Sequence, residues 1–416
     1  MKKIFTNAQQ IITVNTEGKN YKRGNALSDL HPLNEHSILV DGGKILDFIP
    51  NQSLHKISGY QEINLNGKII LPGLIECHTH SVFSGSRANE FKDKLNGKSY
   101  EDIAKSGGGI NYTVESVRKT SFNELLNLAK PRIEYFISQG ITTIEIKSGY
   151  GLDFNNEIKI LEVIKALNDF YPVDIIPTFL GAHTLPKEFS NRRIEYISLV
   201  TAQMIPYIAK NKLAEFCDCF CESTAFSADE TEEIFSAASK YGLKLKLHTD
   251  QFNSIGGINA AVKHKAVSVD HLEAIKPEDI SKIAGSDSVC VLLPGSSFFL
   301  NREYAPARKL IESNAIIAIS TDFNPGSSNI ADLNLIMSIA AINMGMTIEE
   351  VISSVTINSA KALNRNNEVG SLEINKNADF AIFNAGDYSD IVYSTGKNLN
   401  AMTVKNGNII YNSKIN

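Results

Sequence analysis

No run of 18 apolar residues occurs in this 416-residue chain, so no segment reads as a membrane-spanning helix. Basic residues are not in excess: 41 lysines and arginines stand against 46 aspartates and glutamates, a net charge of -5, with no polybasic block. That balance argues against nucleic acid and against an anionic membrane surface as partners. Cysteine is scarce, five in all, which excludes the dense disulfide framework of a small secreted protein. Glycine (27) and proline (12) are too few for a disordered or fibrous chain. The N-terminus, "MKKIFTNAQQIITV", starts basic, but Asn7, Gln9 and Gln10 break its apolar stretch. It reads as a strand rather than a signal peptide, and the cytoplasm is the expected compartment.

What is present is enough apolar material for a large core, 43% of the residues, with room for a satellite domain. The two ends echo each other. "SILVDGGKILDF" (37–48) and "AMTVKNGNIIYN" (401–412) both read strand, turn, strand, with Asp41-Gly42 and Asn406-Gly407 supplying positive φ angles. "ADFAIFNA" (378–385) is another short strand. Residues 1–65 and 368–416 are therefore expected to form one small β-sandwich domain, leaving 66–367 for a second domain. There, eight strand-like runs alternate with helical ones: 68–80, 140–149, 173–183, 216–222, 244–250, 266–272, 288–295 and 315–323. Ser227 followed three residues later by Glu230 is a capping-box start, and Gly242 a stop. Eight such units predict an α/β fold, a (β/α)8 TIM-like barrel.

In such a barrel, chemistry sits at the C-terminal ends of the strands. Of nine histidines, His78, His80, His183, His248 and His271 all fall there, together with Glu222 and Asp322. His78 and His80, two apart, project to the same side of an extended chain, so both imidazoles can meet one ion. Imidazole suits zinc or iron, and a carboxylate can complete the set. His248 and Asp322 are the natural third and fourth ligands. His271 is the candidate acid/base, since imidazole titrates near neutrality. Asp322 is a second candidate for handling the water proton.

Taken together, "PGLIECHTH", His248, His271 and the "STD" ending at Asp322 resemble the amidohydrolase superfamily of metal-dependent hydrolases. "HTHSVFSGSRANEF", "KSGYGL", "GAHTLP", "KLHTDQF", "DHLE" and "TDFNPGSS" narrow the match to its branch that opens the ring of 4-imidazolone-5-propanoate, giving N-formimidoyl-L-glutamate in histidine breakdown. The resemblance runs from about Leu71 into the C-terminal strands. It implies one transition metal per chain, Zn2+ or Fe2+/Fe3+, held by His78, His80, His248 and Asp322. It also implies substrate contacts from Arg87, Tyr150, His183, Gln251, Asn324, Gly326 and Ser327. The substrate carries a propionate, which the Arg87 guanidinium is expected to grip bidentately. Gln251 departs from relatives with glutamate there, and a base role at that position does not transfer.

Cys217, Cys219 and Cys221 alternate on one side of a strand and read as buried core thiols. Glu222 faces the other way, toward the mouth, where it would meet a ligand histidine or the substrate. Gly107, Gly108 and Gly109 lack the ending of a phosphate loop; a lid and an ordinary loop both fit. Lys147 ends the second strand, but the fourth ends in Glu222 rather than the lysine of binuclear relatives, which favours one metal. His31, His36, His55 and His264 are expected at the surface. A purine or pyrimidine deaminase or a cyclic amidase would share the barrel and metal without needing Arg87 and Tyr150. A non-catalytic scaffold would be expected to lose ligands. The expected partner is a small substrate with a carboxylate tail; a homodimer stays open.

Overall fold

The computed structural model describes residues 2–97 and 108–413. Eight parallel strands run in sequence order through its centre: Leu74–Glu76, Ile141–Lys147, Asp174–Ala182, Phe216–Cys221, Lys244–Thr249, Ser268–His271, Val289–Leu292 and Ile316–Ile319. Between the eighth and the first the ladder gives way to a stitched seam. Thr79 and Phe323 form a single parallel bridge, and His80 donates its amide to the Phe323 carbonyl at 2.9 Å. The Glu76 carboxylate accepts from the Ser320 hydroxyl and, at 3.2 Å, from the Thr321 amide. The (β/α)8 reading is met. No helix among the described residues is long and apolar enough to cross a membrane.

Local chemistry explains the helical layer. Ser227 accepts the Glu230 amide and Glu230 returns to the Ser227 amide, so helix Ala228–Lys240 starts in a full capping box. It stops before Gly242, whose φ of +80° suits glycine. Helix Phe122–Ser138 carries the same box at Ser121 and Glu124. Strand Phe216–Cys221 turns its three cysteines toward this layer; Cys219 Sγ lies 3.4 Å from Thr231 Oγ1 of helix Ala228–Lys240. All five cysteines are free and buried. Asp218, on the alternate side, faces the barrel interior.

The run read as one strand from 68 to 80 is two. Ile69–Pro72 pairs with Phe380–Phe383 in a six-stranded sheet built from both chain ends, and only Leu74–Glu76 enters the barrel. Gly73 separates them because backbone passes close to Thr142: an added Cβ would sit 2.3 Å from its Oγ1. A four-stranded sheet, with Lys3–Thr6 and His36–Asp41 at its centre, packs against the six-stranded one over Phe5, Ile38, Val40, Ile70, Phe380 and Val404. The second hairpin turns at Asn406-Gly407 as expected, but the first turns at Gly42-Gly43 rather than Asp41-Gly42. Lys405 ties the terminal sheet to the barrel, 2.6 Å from both Asp379 and Asp174.

Candidate active site

His78 and His80 leave the first barrel strand in extended backbone, and their rings meet those of His248 and His271. Donor atoms of His78, His80 and Asp322 lie within 4.8 Å of one another, as do those of His78, His248 and His271. Asp322 Oδ1 is 3.5 Å from His78 Nε2 and 3.7 Å from His80 Nε2. These groups are almost wholly buried, yet His78 Nε2, His80 Nδ1 and both nitrogens of His248 have no hydrogen-bond partner among the described residues. Four orphaned imidazole nitrogens in a dry interior are costly unless an ion takes up lone pairs there. Three imidazoles and one carboxylate are the donor set of a divalent transition metal.

The tautomer of His78 follows from its other nitrogen. Nδ1 donates to Asp270 Oδ2 at 2.6 Å, which leaves the Nε2 lone pair facing Asp322. His248 Nδ1 lies 3.0 Å from Asp218 Oδ2, off the line of a good hydrogen bond. Burial, with the Lys147 charge beside His78 and His183 beside His80, holds both imidazoles well below their ordinary pKa, in the neutral form a metal requires. Burial raises the Asp322 carboxyl to about 6, against the opposing pull of His271 and His248. For His271, burial lowers the pKa, but Glu273, 3.3 Å from Nδ1, outweighs it and leaves the group raised.

Two strand ends depart from extended geometry. His271 has φ +88°, Leu272 +73° and Asp322 +52°. Non-glycine residues in this region are uncommon and cluster at functional sites. At His271 the departure lets consecutive residues serve one site: Asp270 bonds His78 while His271 rests on the His78 and His248 rings.

The substrate candidates gather around this cluster unevenly. His183 stacks on His80 with ring centres 5.2 Å apart, and burial lowers its pKa to about 3. Tyr150 packs on both rings. Arg87 begins helix Ala88–Leu95 and pairs with Glu90 through Nε (2.9 Å) and Nη2 (2.8 Å). Its Nη1 lies against Gly326, where an added Cβ would sit 1.9 Å away. The side edge of the guanidinium fork is thus already occupied by Glu90, and the end-on edge formed by Nη1 and Nη2 is left for a ligand. They line a cavity of about 400 Å³ with Lys94, Phe83 and Phe299. The Asn324 amide is fully engaged with its own loop: it donates to the Asp322 carbonyl and Ser327 Oγ and accepts the amides of Gly326 and Ser327. The Gln251 amide donates to Ser296 Oγ at 3.2 Å.

Several sequence readings are corrected. Glu222 has no histidine contact among the described residues; it accepts the amides of Phe252 (2.9 Å) and Asn253 (3.0 Å), pinning the loop that carries Gln251. Lys147 lies inside the barrel among Glu145, Asp218 and Asp270, and these carboxylates keep it protonated despite burial. His264 is half-buried against Phe235 rather than at the surface. Gly107 lies outside the described residues; Gly109 is described and donates its amide to Glu90 at 3.0 Å. Asp218, Asp270 and Glu273 were missed. The outward cysteines should have marked Asp218 as inward-facing; Glu273 carried no such signal.

The chain belongs to the amidohydrolase family, whose model matches residues 69–410. Together with the clustered donors, this indicates a divalent metal ion. Within that family its place is among the imidazolonepropionases. It is 41% identical over 408 residues to the imidazolonepropionase of Shouchella clausii, covering 97% of this chain and 91% of the relative. It is 40% identical to that of Flavobacterium johnsoniae, covering 98% and 99%. Its fold is similar to a zinc-bound adenosine deaminase from Xanthomonas campestris, at TM-score 0.73 and 15% identity over 98% of this chain and 92% of that one.

Proposed function

We propose that this chain hydrolyses the ring amide of 4-imidazolone-5-propanoate to N-formimidoyl-L-glutamate, a step of histidine degradation in the cytoplasm. The observation that carries the reading is the group of unpartnered, buried imidazole nitrogens around Asp322. His78, His80, His248 and Asp322 would hold the metal, which we take to be Zn2+ or iron. When bound, it supplies an activated water and positive charge against the ring carbonyl oxygen.

The chain's own groups then divide the work. Asp322, whose carboxylate faces the same point as His78 and His80, accepts the proton of the attacking water. His271 presents Nε2 while Nδ1 is held by Glu273, and gives a proton to the departing ring nitrogen. Arg87 grips the propionate end-on through Nη1 and Nη2, the edge that Glu90 leaves free. Tyr150 and His183 wall the ring beside His80. Asn324 shapes the loop that presents Gly326 and Ser327.

Freshly made 4-imidazolone-5-propanoate, with dihydroorotate and guanine as controls, tests the assignment. Turnover confined to the first, with about one metal per chain by elemental analysis, is the expected result. Preferential turnover of guanine or dihydroorotate would move the protein to another branch of the family.

A further inference from the structure

Beneath the four metal-facing side chains lies a second charged group that the proposed reaction does not touch. Glu145, Lys147, Asp218, Lys246 and Asp270 all have no solvent exposure. Lys147 Nζ is 2.9 Å from Asp218 Oδ2 and 3.5 Å from Asp270 Oδ2. Those are the two oxygens that face the histidines above. Asp218 Oδ2 is 3.0 Å from His248 Nδ1, and Asp270 Oδ2 is 2.6 Å from His78 Nδ1. One ammonium therefore sits between two carboxylate–imidazole pairs. We propose that Lys147 is a positioning residue for the metal centre, holding Asp218 and Asp270 in register and, through them, the rings of His248 and His78. The inference rests on the assignment of those two histidines as ligands.

The physical argument is one of charge and rotation. Two carboxylates this close in a dry interior repel strongly unless a cation lies between them. Their far oxygens are already fixed: Asp218 Oδ1 accepts the Cys219 and His248 amides, and Asp270 Oδ1 accepts the Ser268 hydroxyl. With both ends held, neither carboxylate can rotate, so the hydrogen bond to His78 and the 3.0 Å approach to His248 each keep one geometry. The third partner of Lys147 is Glu145, at 3.0 Å, which turns to Lys246 (2.9 Å) and the Thr178 hydroxyl, and for which no histidine contact is seen among the described residues. Glu145 thus shares the burial and the charge of the cluster but reaches the metal-facing histidines only through Lys147. If Lys147 served only to neutralise the interior, loss of either residue would act alike.

The test uses the full-length protein stripped of metal, with Zn2+ as the probe and a chromophoric chelator as competitor. Lys147→Met is expected to bind Zn2+ roughly 10–100-fold more weakly, the usual cost of losing a group that orients a ligand. Glu145→Gln should stay within about threefold of the unmodified protein even where its melting temperature falls. Histidine-labelled nitrogen spectra of the metal-free protein give a second readout. The Nδ1–H tautomer of His78 should be single in the unmodified protein and mixed in Lys147→Met. Equal weakening in both variants, or unchanged affinity in Lys147→Met, would overturn the proposal. Should Lys147→Met not fold, Lys147→Met/Glu145→Gln removes one charge of each sign and carries the same expectation and the same refutation. Failure of the unmodified protein to bind Zn2+ would instead remove the ligand assignment itself.

Discussion

His248 and His271 sit 5.4 Å apart, ring centre to ring centre, yet their loss should have different signatures. His248→Ala removes an imidazole whose Nε2 has no hydrogen-bond partner among the described residues, so metal and activity are expected to vanish together while the circular dichroism spectrum stays. His271→Asn should keep the ion and lower kcat by about 10²–10⁴, the scale of a positioned acid or base. Elemental analysis of the two variants separates the roles. On the substrate side, Arg87→Met should cost roughly 2–5 kcal/mol of binding, and discrimination against a neutral amide analogue of the propionate should collapse. Gly326→Ala tests the same contact from the other side: its methyl would displace Nη1, so KM should rise with metal content unchanged. Most of these residues were legible because strand ends share one face of a barrel. Asp270 was not, since alternation turns it away from His271 in an ideal strand. The φ of +88° at His271 breaks that rule, and a side-chain pattern carries no trace of it.

Elements were legible where their ends are written in side chains. The capping box at Ser227 and Glu230 fixed a helix start from sequence alone; Ser227→Ala is expected to cost about 1 kcal/mol in urea unfolding. The split of residues 68–80 was not legible. "KIILPGLIE" is apolar throughout because both halves are buried, one in the terminal sheet and one in the barrel, so periodicity gives no boundary. Glu222 shows how a loop is held. Replacing it with alanine leaves the Phe252 and Asn253 amides without their acceptor, at about 1–3 kcal/mol each where buried. The loop bearing Gln251 should loosen, raising KM while the metal stays bound, and a parallel metal assay checks that separation.

Across the whole molecule the thiols report how completely the layers close. Burial raises Cys77 and Cys290 to about 12 and Cys221 to about 11, so each is the neutral, unreactive thiol at pH 8. A disulfide reagent should modify none of the five in the native protein and all five in guanidinium. Lower reactivity on unfolding, or rapid native labelling, would contradict the packing. The pairing of Ile69–Pro72 with Phe380–Phe383 has a further consequence, in the time domain of synthesis. The partner strand is made some 300 residues after the first, which at about 5–20 residues per second is roughly fifteen seconds to a minute. Throughout that interval the strand Ile69–Pro72 has left the ribosome with an unpaired, wholly apolar edge. The barrel can begin to assemble while the six-stranded terminal sheet cannot be completed, so a nascent chain halted before residue 380 should be a strong client for chaperones and one halted after the end should not.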